Sequence, residues 1–296
     1  MGGASGDPGR LGRMIGRYGG VRAGPQDALV RLARQAVALL VRPIYRIYTD
    51  RLRREVMLRP RPQHVAVIMD GNRRWAIREG FTDHGVGHRR GAAKALELID
   101  WCADLGIREV TLWALSVENL GRPDDEIGTI TDIAADALSS LADGRRRTRV
   151  PVHLRVIGRR ELLPERLRRV VDDSAAVSRP DGAMDVTIAL AYSGRDELLE
   201  AFRATLRELL EADVAPQDLA GRVTADALAS HLYTSGSSDP DLIVRTSGEV
   251  RLSGFLPWQS VHSEYYFCEA YWPAFREIDF LRAIRTFQAR SRRFGR

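Results

Sequence analysis

The sequence predicts an α/β fold, a single domain whose mostly parallel central sheet is covered by helices. Short apolar runs rich in β-branched residues alternate along the chain with longer segments of helical periodicity. Such alternation is typical of a parallel sheet with helices on both faces. The chain has 296 residues, 44% of them hydrophobic, which is sufficient for a core of this kind.

Six strands and five helices are expected from His64 onward. The strands are apolar runs at 64–70, 109–115, 152–158, 185–191 and 241–245, and an aromatic strand precedes Cys268. The helices occupy 91–105, 124–141, 164–177, 196–211 and 278–292. Gly106 stops the first helix and Pro123 opens the second. Ligands of parallel sheets bind beyond the carboxyl ends of the strands, so functional residues are expected just after each strand.

The first 60 residues differ from the rest in charge. They hold 12 arginines and four acids, a net charge of +8, whereas the whole chain carries +6. The basic character therefore belongs to this part and does not indicate nucleic-acid binding by the main body. Residues 1–24 are expected to be a disordered tail, and 25–60 a basic amphipathic helical extension, kinked or split at Pro43. Residues 61–296 are expected to form the main folded domain.

Two interpretations are open for the basic helix. It binds an anionic membrane surface, or it docks on the main body of the protein or on a partner, with its arginines in water. No run of 18 apolar residues and no secretory signal is present, so we expect a cytoplasmic protein, peripheral at the inner face of the membrane under the first interpretation. Cys102 and Cys268 are too few for a disulfide framework and are expected to be buried thiols.

An acid and two arginines follow the first strand, in MDGNRRWA (69–76). The Asp70 carboxylate can hold a hard cation, and Gly71 lets a ligand approach the backbone closely. Arg73 and Arg74 can bind phosphate oxygens with their planar guanidinium groups. Taken alone, the segment is also compatible with an ordinary turn, since Asp-Gly and Gly-Asn are common turn residues.

Two more strand ends add polar groups. LSVENLGRP (115–123) supplies Ser116, Glu118, Asn119 and Arg122, and RTSGEVRLSGFLPWQ (245–259) supplies Arg245, Arg251 and Ser253, with Glu264 close behind as a second carboxylate. These groups suit two diphosphates and a divalent cation. Walker and Rossmann glycine motifs are absent from the sequence. A haloacid-dehalogenase-type phosphatase is excluded because Ile68 stands where its nucleophilic Asp is needed.

Five blocks resemble the signatures of cis-prenyltransferases, the family of undecaprenyl diphosphate synthase. They are HVAVIMDGNRRWA (64–76), GHRRGA (87–92), LSVENLGRP, RTSGEVRLSGFLPWQ and RRFG (292–295), in the family's order from about residue 62 to the C-terminus. The resemblance implies condensation of isopentenyl diphosphate with an allylic diphosphate, a hydrophobic tunnel, a homodimer formed through the C-terminal half, and Mg²⁺ as cofactor. A non-catalytic partner subunit of the family is a remote alternative, because such subunits typically lose the acid that matches Asp70.

The resemblance also implies a role for each matching residue. Asp70 would hold magnesium with a partner-dependent Glu264, and Asn119 would assist removal of the proton. The allylic diphosphate would be held by Gly71, Asn72, Arg73 and Arg74, with Trp75 shaping the site and His88 near the reacting diphosphates. Isopentenyl diphosphate would be held by Arg245, Arg251 and Ser253. The other substrate contacts would be Ser116, Val117, Glu118, Leu120, Arg122 and Leu252.

Several departures from the family pattern bear on product length. Arg73 replaces a common glycine, His84 stands where an arginine is common, Leu120 replaces a tryptophan, and AYSGR (191–195) replaces NYGGR. With the longer segment Gly80–Gly87, these features resemble actinobacterial short-chain members. We therefore predict geranyl diphosphate as primer and (2Z,6E)-farnesyl diphosphate as product, with a long-chain polyprenyl product as the alternative. The small Ala114 favours the alternative, and Met184 or Leu112 would then have to close the tunnel.

Overall fold

The computed structural model describes residues 43–142, 148–177 and 183–290. The chain divides into two compact units, Met1–Asp50 and Arg51–Arg296, and the described part of the first consists of helical residues 43–50. Leu52 and Val56 are buried within the second unit. The expected tail, residues 25–42 of the extension and the RRFG block lie outside the described residues. No helix in the described ranges is long and apolar enough to cross a membrane.

The second unit is built on a parallel sheet, as the sequence predicts. Within the described residues the sheet has six strands in the order β3-β4-β2-β1-β5-β6, and every neighbouring pair is parallel. The strands are β1 (His64–Ile68), β2 (Glu109–Trp113), β3 (Val152–Ile157), β4 (Met184–Ala189), β5 (Leu242–Arg245) and β6 (Glu264–Phe267). The predicted fold class is therefore confirmed.

Helices follow nearly every strand. They are α1 (43–57), α2 (Asn72–Arg78), α3 (Gly85–Asp104), α4 (Asp124–Ala142), α5 (Glu165–Val177), α6 (Gly194–Glu211), α7 (Leu219–Arg222), α8 (Ala225–Ala229) and α9 (Glu277–Ala289). Short 3-10 helices at Glu118–Gly121, Arg160–Leu162 and Trp272–Ala274 complete the connections. The helix and strand bounds differ from the expected ones by up to three residues, apart from α3 and the unpredicted short helices.

Helix α3 begins six residues earlier than its sequence indicates. Gly85, Gly87 and Gly91 lower the helix propensity of its first turns, so the sequence pattern does not predict a helix there. Gly87 and Gly91 are needed because α2 packs so closely against this part of α3 that it leaves no room for side chains. A Cβ atom on Gly87 would lie 2.2 Å from the backbone oxygen of Asn72. The other end matches the prediction: Gly106 has φ +70, and the Ile107 N–H donates to the Cys102 carbonyl at 3.0 Å, which closes a Schellman-type cap.

The two faces of the sheet have different neighbours. On one face, Ala66, Ile68 and Ile243 belong to a buried cluster with Phe255 and Leu256, which lie in the loop after β5. On the other face, apolar side chains of β2 and β4 meet α3 and α4 across a cavity. Cys102 and Cys268 are free, buried thiols, as expected. The carboxyl ends of β1, β2 and β5 meet at one edge, and the predicted polar groups converge there.

Candidate active site

A pocket of 340 Å³ opens at the carboxyl edge of the central strands. It brings together residues from three separate sequence blocks and from α3. Its predicted site residues are Asp70, Gly71, Asn72, Arg73, Arg74, His88, Ser116, Asn119, Arg122, Arg245 and Ser253. Because β1, β2 and β5 are adjacent and parallel, Asp70 and Arg245 meet here although they lie 175 residues apart in sequence.

Asp70 lies between two arginines. Its Oδ1 atom accepts from Arg74 at 3.1 Å and its Oδ2 atom from Arg245 at 3.0 Å. Burial opposes ionisation of Asp70, but the hydrogen bond from Arg245 and the charge of Arg74 outweigh it and hold the pKa of Asp70 below its usual value. Asp70 is therefore an anion at neutral pH that links Arg74 to Arg245.

Gly71 allows the tight turn between β1 and α2. Its φ of +101 lies in the left-handed region, and a Cβ atom there would come within 2.7 Å of the Tyr271 ring. Helix α2 starts at the next residue, so Arg74 projects from its first turn over the pocket, where it also donates to Ser247 Oγ at 2.8 Å and to Glu249 at 3.0 Å.

The buried Arg245 organises the loop after β5. Its side chain is 5% exposed and donates to Ser253 Oγ at 2.7 Å and to the backbone carbonyl of Arg251. Ser253 has φ +52, a left-handed conformation that non-glycine residues rarely adopt. The hydrogen bonds from Arg245 thus hold a strained loop whose serine faces the pocket.

The opposite wall carries a second pair of arginines. Glu126 accepts from Arg73 at 3.2 Å and from Arg122 at 2.8 Å. Arg122 also donates to the Asn119 Oδ1 atom at 2.9 Å. Asn119 itself is held in the 3-10 helix by a bond from its N–H to the carbonyl of Ser116 at 3.2 Å. The pocket is therefore lined by cations on both sides, which suits a polyanionic ligand.

His88 lies where the pocket continues inward. Burial, followed by the positive charge of Arg122, lowers the pKa of His88 to about 4. Its Nε2 atom is buried and has no hydrogen-bond partner among the described residues. The imidazole is thus neutral at physiological pH and offers one unpaired nitrogen next to the arginines.

An apolar cavity of 100 Å³ continues from the pocket, between the sheet and helices α3 and α4. The two share Met69, Asn72, His88, Ala114 and Ile130 as lining residues. The cavity is otherwise lined mainly by aliphatic side chains, including Leu96, Ile99, Leu112, Leu138 and Leu141. Met184, considered from the sequence as a side chain that closes a tunnel, lies at the start of β4 and does not line this cavity.

Some predicted site residues do not line the pocket. Trp75 packs on Phe81 instead, with ring centroids 5.9 Å apart. Arg251 is 64% exposed and pairs with Glu249 at 2.7 Å. The others that do not line it are Val117, Glu118, Leu120 and Leu252. The roles of these residues stay predictions.

Glu264, predicted as a partner-dependent metal ligand, does not reach the Asp70 site of its own chain. Glu264 begins β6 rather than following it, and is in register with Leu242 at the amino end of β5. It therefore lies at the opposite edge of the sheet from Asp70, where it pairs with Arg290. A metal role for Glu264 would need a second chain, as the family resemblance implies.

The pocket offers a divalent cation one charged protein ligand, Asp70. The described residues contain no group of three or more His, Cys, Asp or Glu side chains placed to hold a metal. Asp70 is an ionised oxygen donor whose side chain is 29% exposed to the pocket. Magnesium commonly binds through one carboxylate together with substrate phosphates and water. The residues fit such a cation when a diphosphate completes its ligands.

Sequence reasoning missed the acids that hold the arginines. Glu126 pairs with Arg73 and Arg122, and Glu249 pairs with Arg74 and Arg251. The four-residue spacing of Arg122 and Glu126 is a signal that could have identified one of these pairs. Trp113, stacked on Phe255 at 5.0 Å, also lines the pocket but looked like a plain strand residue.

Comparisons with known proteins identify the family. Residues 68–295 match the family model described as "Putative undecaprenyl diphosphate synthase". The chain is 45% identical to (2Z,6E)-farnesyl diphosphate synthase of Thermobifida fusca, over 88% of this chain and 100% of that one. It is 44% identical to the enzyme of the same name from Mycolicibacterium smegmatis, over 87% and 97% of the two chains. Lavandulyl diphosphate synthase of Lavandula x intermedia superposes with a TM-score of 0.73 at 32% identity, covering 82% of this chain and 100% of that one. The chain therefore belongs to the undecaprenyl diphosphate synthase family of cis-prenyltransferases, which are enzymes that transfer prenyl groups.

Proposed function

We propose that this prenyltransferase condenses isopentenyl diphosphate with geranyl diphosphate to give (2Z,6E)-farnesyl diphosphate, with Mg²⁺ as the divalent metal that such enzymes generally require. The observation that carries the proposal is the pairing of an arginine-lined pocket with a small apolar cavity. Two diphosphates need several cationic donors, and a short prenyl tail needs an apolar space of limited depth. Both requirements are met at the same sheet edge.

In the proposed reaction, the carbon–oxygen bond of the allylic diphosphate breaks and diphosphate leaves. The allylic carbon bonds to the terminal alkene carbon of isopentenyl diphosphate, and loss of one proton forms the cis double bond. Asp70 would hold magnesium, which when bound would supply Lewis-acid stabilisation of the charge that develops on the leaving group. Arg73 and Arg74 bind that group on their side of the pocket, because fixed cations stabilise developing negative charge.

Isopentenyl diphosphate is assigned to the loop after β5. Arg245 and Ser253 line the pocket there, and Arg251 lies on the same loop, paired with Glu249. The exposed Arg251 side chain would exchange Glu249 for a substrate oxygen. Charge-assisted hydrogen bonds of this kind are among the stronger contacts that a protein offers to phosphate.

The size of the apolar cavity supports a short product. An engineered apolar cavity of about 150 Å³ holds a single benzene molecule, and the cavity here measures 100 Å³. It has room for about one isoprene unit beyond the pocket. Leu138 is 3% exposed and Ile99 fully buried, so the lining is closely packed. Similarity to two proteins named (2Z,6E)-farnesyl diphosphate synthase supports the same length.

A long-chain polyprenyl product is the second candidate. Ala114 lines both the pocket and the cavity, and its small side chain leaves the entrance to the cavity wide. A longer tail would then require α3 and α4 to move apart. The non-catalytic subunit is disfavoured because Asp70 is present and ionised.

We also propose that the catalytic domain spans 61–296 and acts as a homodimer, the state in which Glu264 could approach the Asp70 site of a partner. The helical extension remains open to both interpretations, because half of it, residues 25–42, lies outside the described residues.

The test is product analysis with Mg²⁺, labelled isopentenyl diphosphate in excess and dimethylallyl, geranyl or farnesyl diphosphate as primer. Reversed-phase chromatography of the dephosphorylated products should give one fifteen-carbon alcohol from geranyl diphosphate. A ladder that reaches ten or more isoprene units would refute the proposed length while leaving the reaction class intact.

A further inference from the structure

Glu126 lies behind the pocket and organises the wall opposite Arg245. Its side chain is 13% exposed and is not among the residues that line the pocket. Each of its oxygens accepts from a different arginine, Oε1 from Arg122 at 2.8 Å and Oε2 from Arg73 at 3.2 Å. Glu126 lies in the first turn of α4, so its backbone is fixed by the helix. It therefore holds two pocket-lining arginines in place without facing the ligand itself.

Arg122 in turn orients the side chain of Asn119. Its Nη2 atom donates to the Asn119 side chain at 2.9 Å. Arginine has donors and no acceptors, so the amide atom that faces it must be the oxygen. The amide nitrogen then points away from Arg122, and the backbone of Asn119 is fixed in the 3-10 helix Glu118–Gly121. The orientation of the amide follows from the chemistry of its partner.

We infer that Glu126 is a positioning residue that acts through Arg122 and fixes Asn119 as a hydrogen-bond donor to substrate diphosphate. This inference rests on the proposed condensation and goes beyond it by excluding Asn119 as the proton acceptor. Its oxygen is engaged by a cation, and a neutral amide is a very weak base. In the last step the C2–H bond of isopentenyl diphosphate breaks, its electron pair forms the new double bond, and a diphosphate oxygen takes the proton.

The role of Asn119 is tested by comparing Asn119→Asp with Asn119→Ala. Asn119→Asp keeps an acceptor for Arg122, removes both donor hydrogens and adds a stronger base. We expect kcat of both variants to fall about 100-fold or more, the usual effect of losing a donor to a developing anion, with Asn119→Asp no better than Asn119→Ala. Recovery of activity in Asn119→Asp would overturn the inference, since it would identify residue 119 as the base.

The positioning role is tested by Glu126→Gln in the full chain. The substitution keeps the volume but replaces one acceptor oxygen by an NH₂ group, which cannot accept from arginine. We expect kcat to fall about tenfold, from the loss of one charge-assisted bond. Asp132→Asn is the matched control, because Asp132 lies on the same helix, is 65% exposed and pairs with Arg166 away from the pocket. It should leave kcat unchanged.

A double-mutant cycle separates positioning from general stability. If Glu126 acts through Arg122 on Asn119, Glu126→Gln should lower kcat clearly less in the Asn119→Ala background than in the wild type, because only its effect through Arg73 remains there. An undiminished tenfold loss in that background would overturn the inference. Wild-type protein that does not condense the two substrates would instead refute the proposed function, so the two failures are distinguishable.

Discussion

Arg245→Ala should destabilise the protein far more than Arg251→Ala, although both arginines belong to the same predicted binding motif. The Arg245 side chain is 5% exposed and bonds to Asp70, to Ser253 and to the carbonyl of Arg251. Hydrogen bonds to charged groups contribute about 1.5–3 kcal/mol each. Asp70 keeps Arg74 and is partly exposed to solvent, so the unfolding free energy should fall by about 3 kcal/mol rather than by the sum of all three bonds.

Arg251→Ala provides the contrast. That side chain is 64% exposed and forms an ion pair with Glu249, and exposed pairs contribute about 0–1 kcal/mol. The assay is urea unfolding at pH 7 with a common m-value, together with steady-state kinetics. Both variants should raise the KM for isopentenyl diphosphate about tenfold or more. Equal stability losses would refute the structural reasoning, and a raised KM for the allylic primer alone would mean that the two subsites are reversed.

Three further predictions follow from the pocket geometry. Asp70→Asn should lower kcat on the order of a thousandfold and should also lower the unfolding free energy, because the buried Arg245 loses its ion pair; near wild-type turnover in Mg²⁺ would contradict its metal role. The pKa of His88 is about 4 in the folded protein and 6.5 in the unfolded chain, so the unfolded chain binds the proton at a higher pH. The unfolding free energy should therefore fall by up to about 3 kcal/mol as the pH is lowered from 6.5 to 4. His88→Asn should reduce this pH dependence in urea titrations. Gly71→Ala should lower the melting temperature and the affinity for allylic diphosphate, because its φ of +101 and the Tyr271 ring both oppose a side chain; unchanged melting would show that the turn can relax.

The sequence was sufficient for the sheet and for most of the pocket. In a parallel sheet every carboxyl end points to the same edge, so Asp70, Ser116 and Arg245 had to be neighbours once their strands were recognised. Alternation of apolar runs and helical periods identifies those strands without any tertiary information. The departures of AYSGR and Arg73 from the family pattern did not alter this topology.

Side-chain direction could not be predicted in the same way. Glu264 comes soon after the motif loop, but whether it ends or begins a strand depends on where β6 pairs with β5. Arg251 and Arg245 have the same chemistry, yet one points to solvent and the other is buried, because only Arg245 lies on a central strand. The early start of α3 depended on the packing of Gly87 against Asn72, which periodicity does not encode.

The balance of charges around the pocket keeps its arginines ordered without substrate and favours a divalent cation when diphosphates bind. Four arginines face the pocket, Arg73, Arg74, Arg122 and Arg245, and three acids hold them, Asp70, Glu126 and Glu249. Without the acids, the arginines would repel one another and lose their order. With them, the net positive charge is too small to balance two multiply charged diphosphates. Under the proposed function, Asp70 would hold a divalent cation that supplies the missing charge next to the leaving group, and Arg74 and Arg245 would bind the substrates.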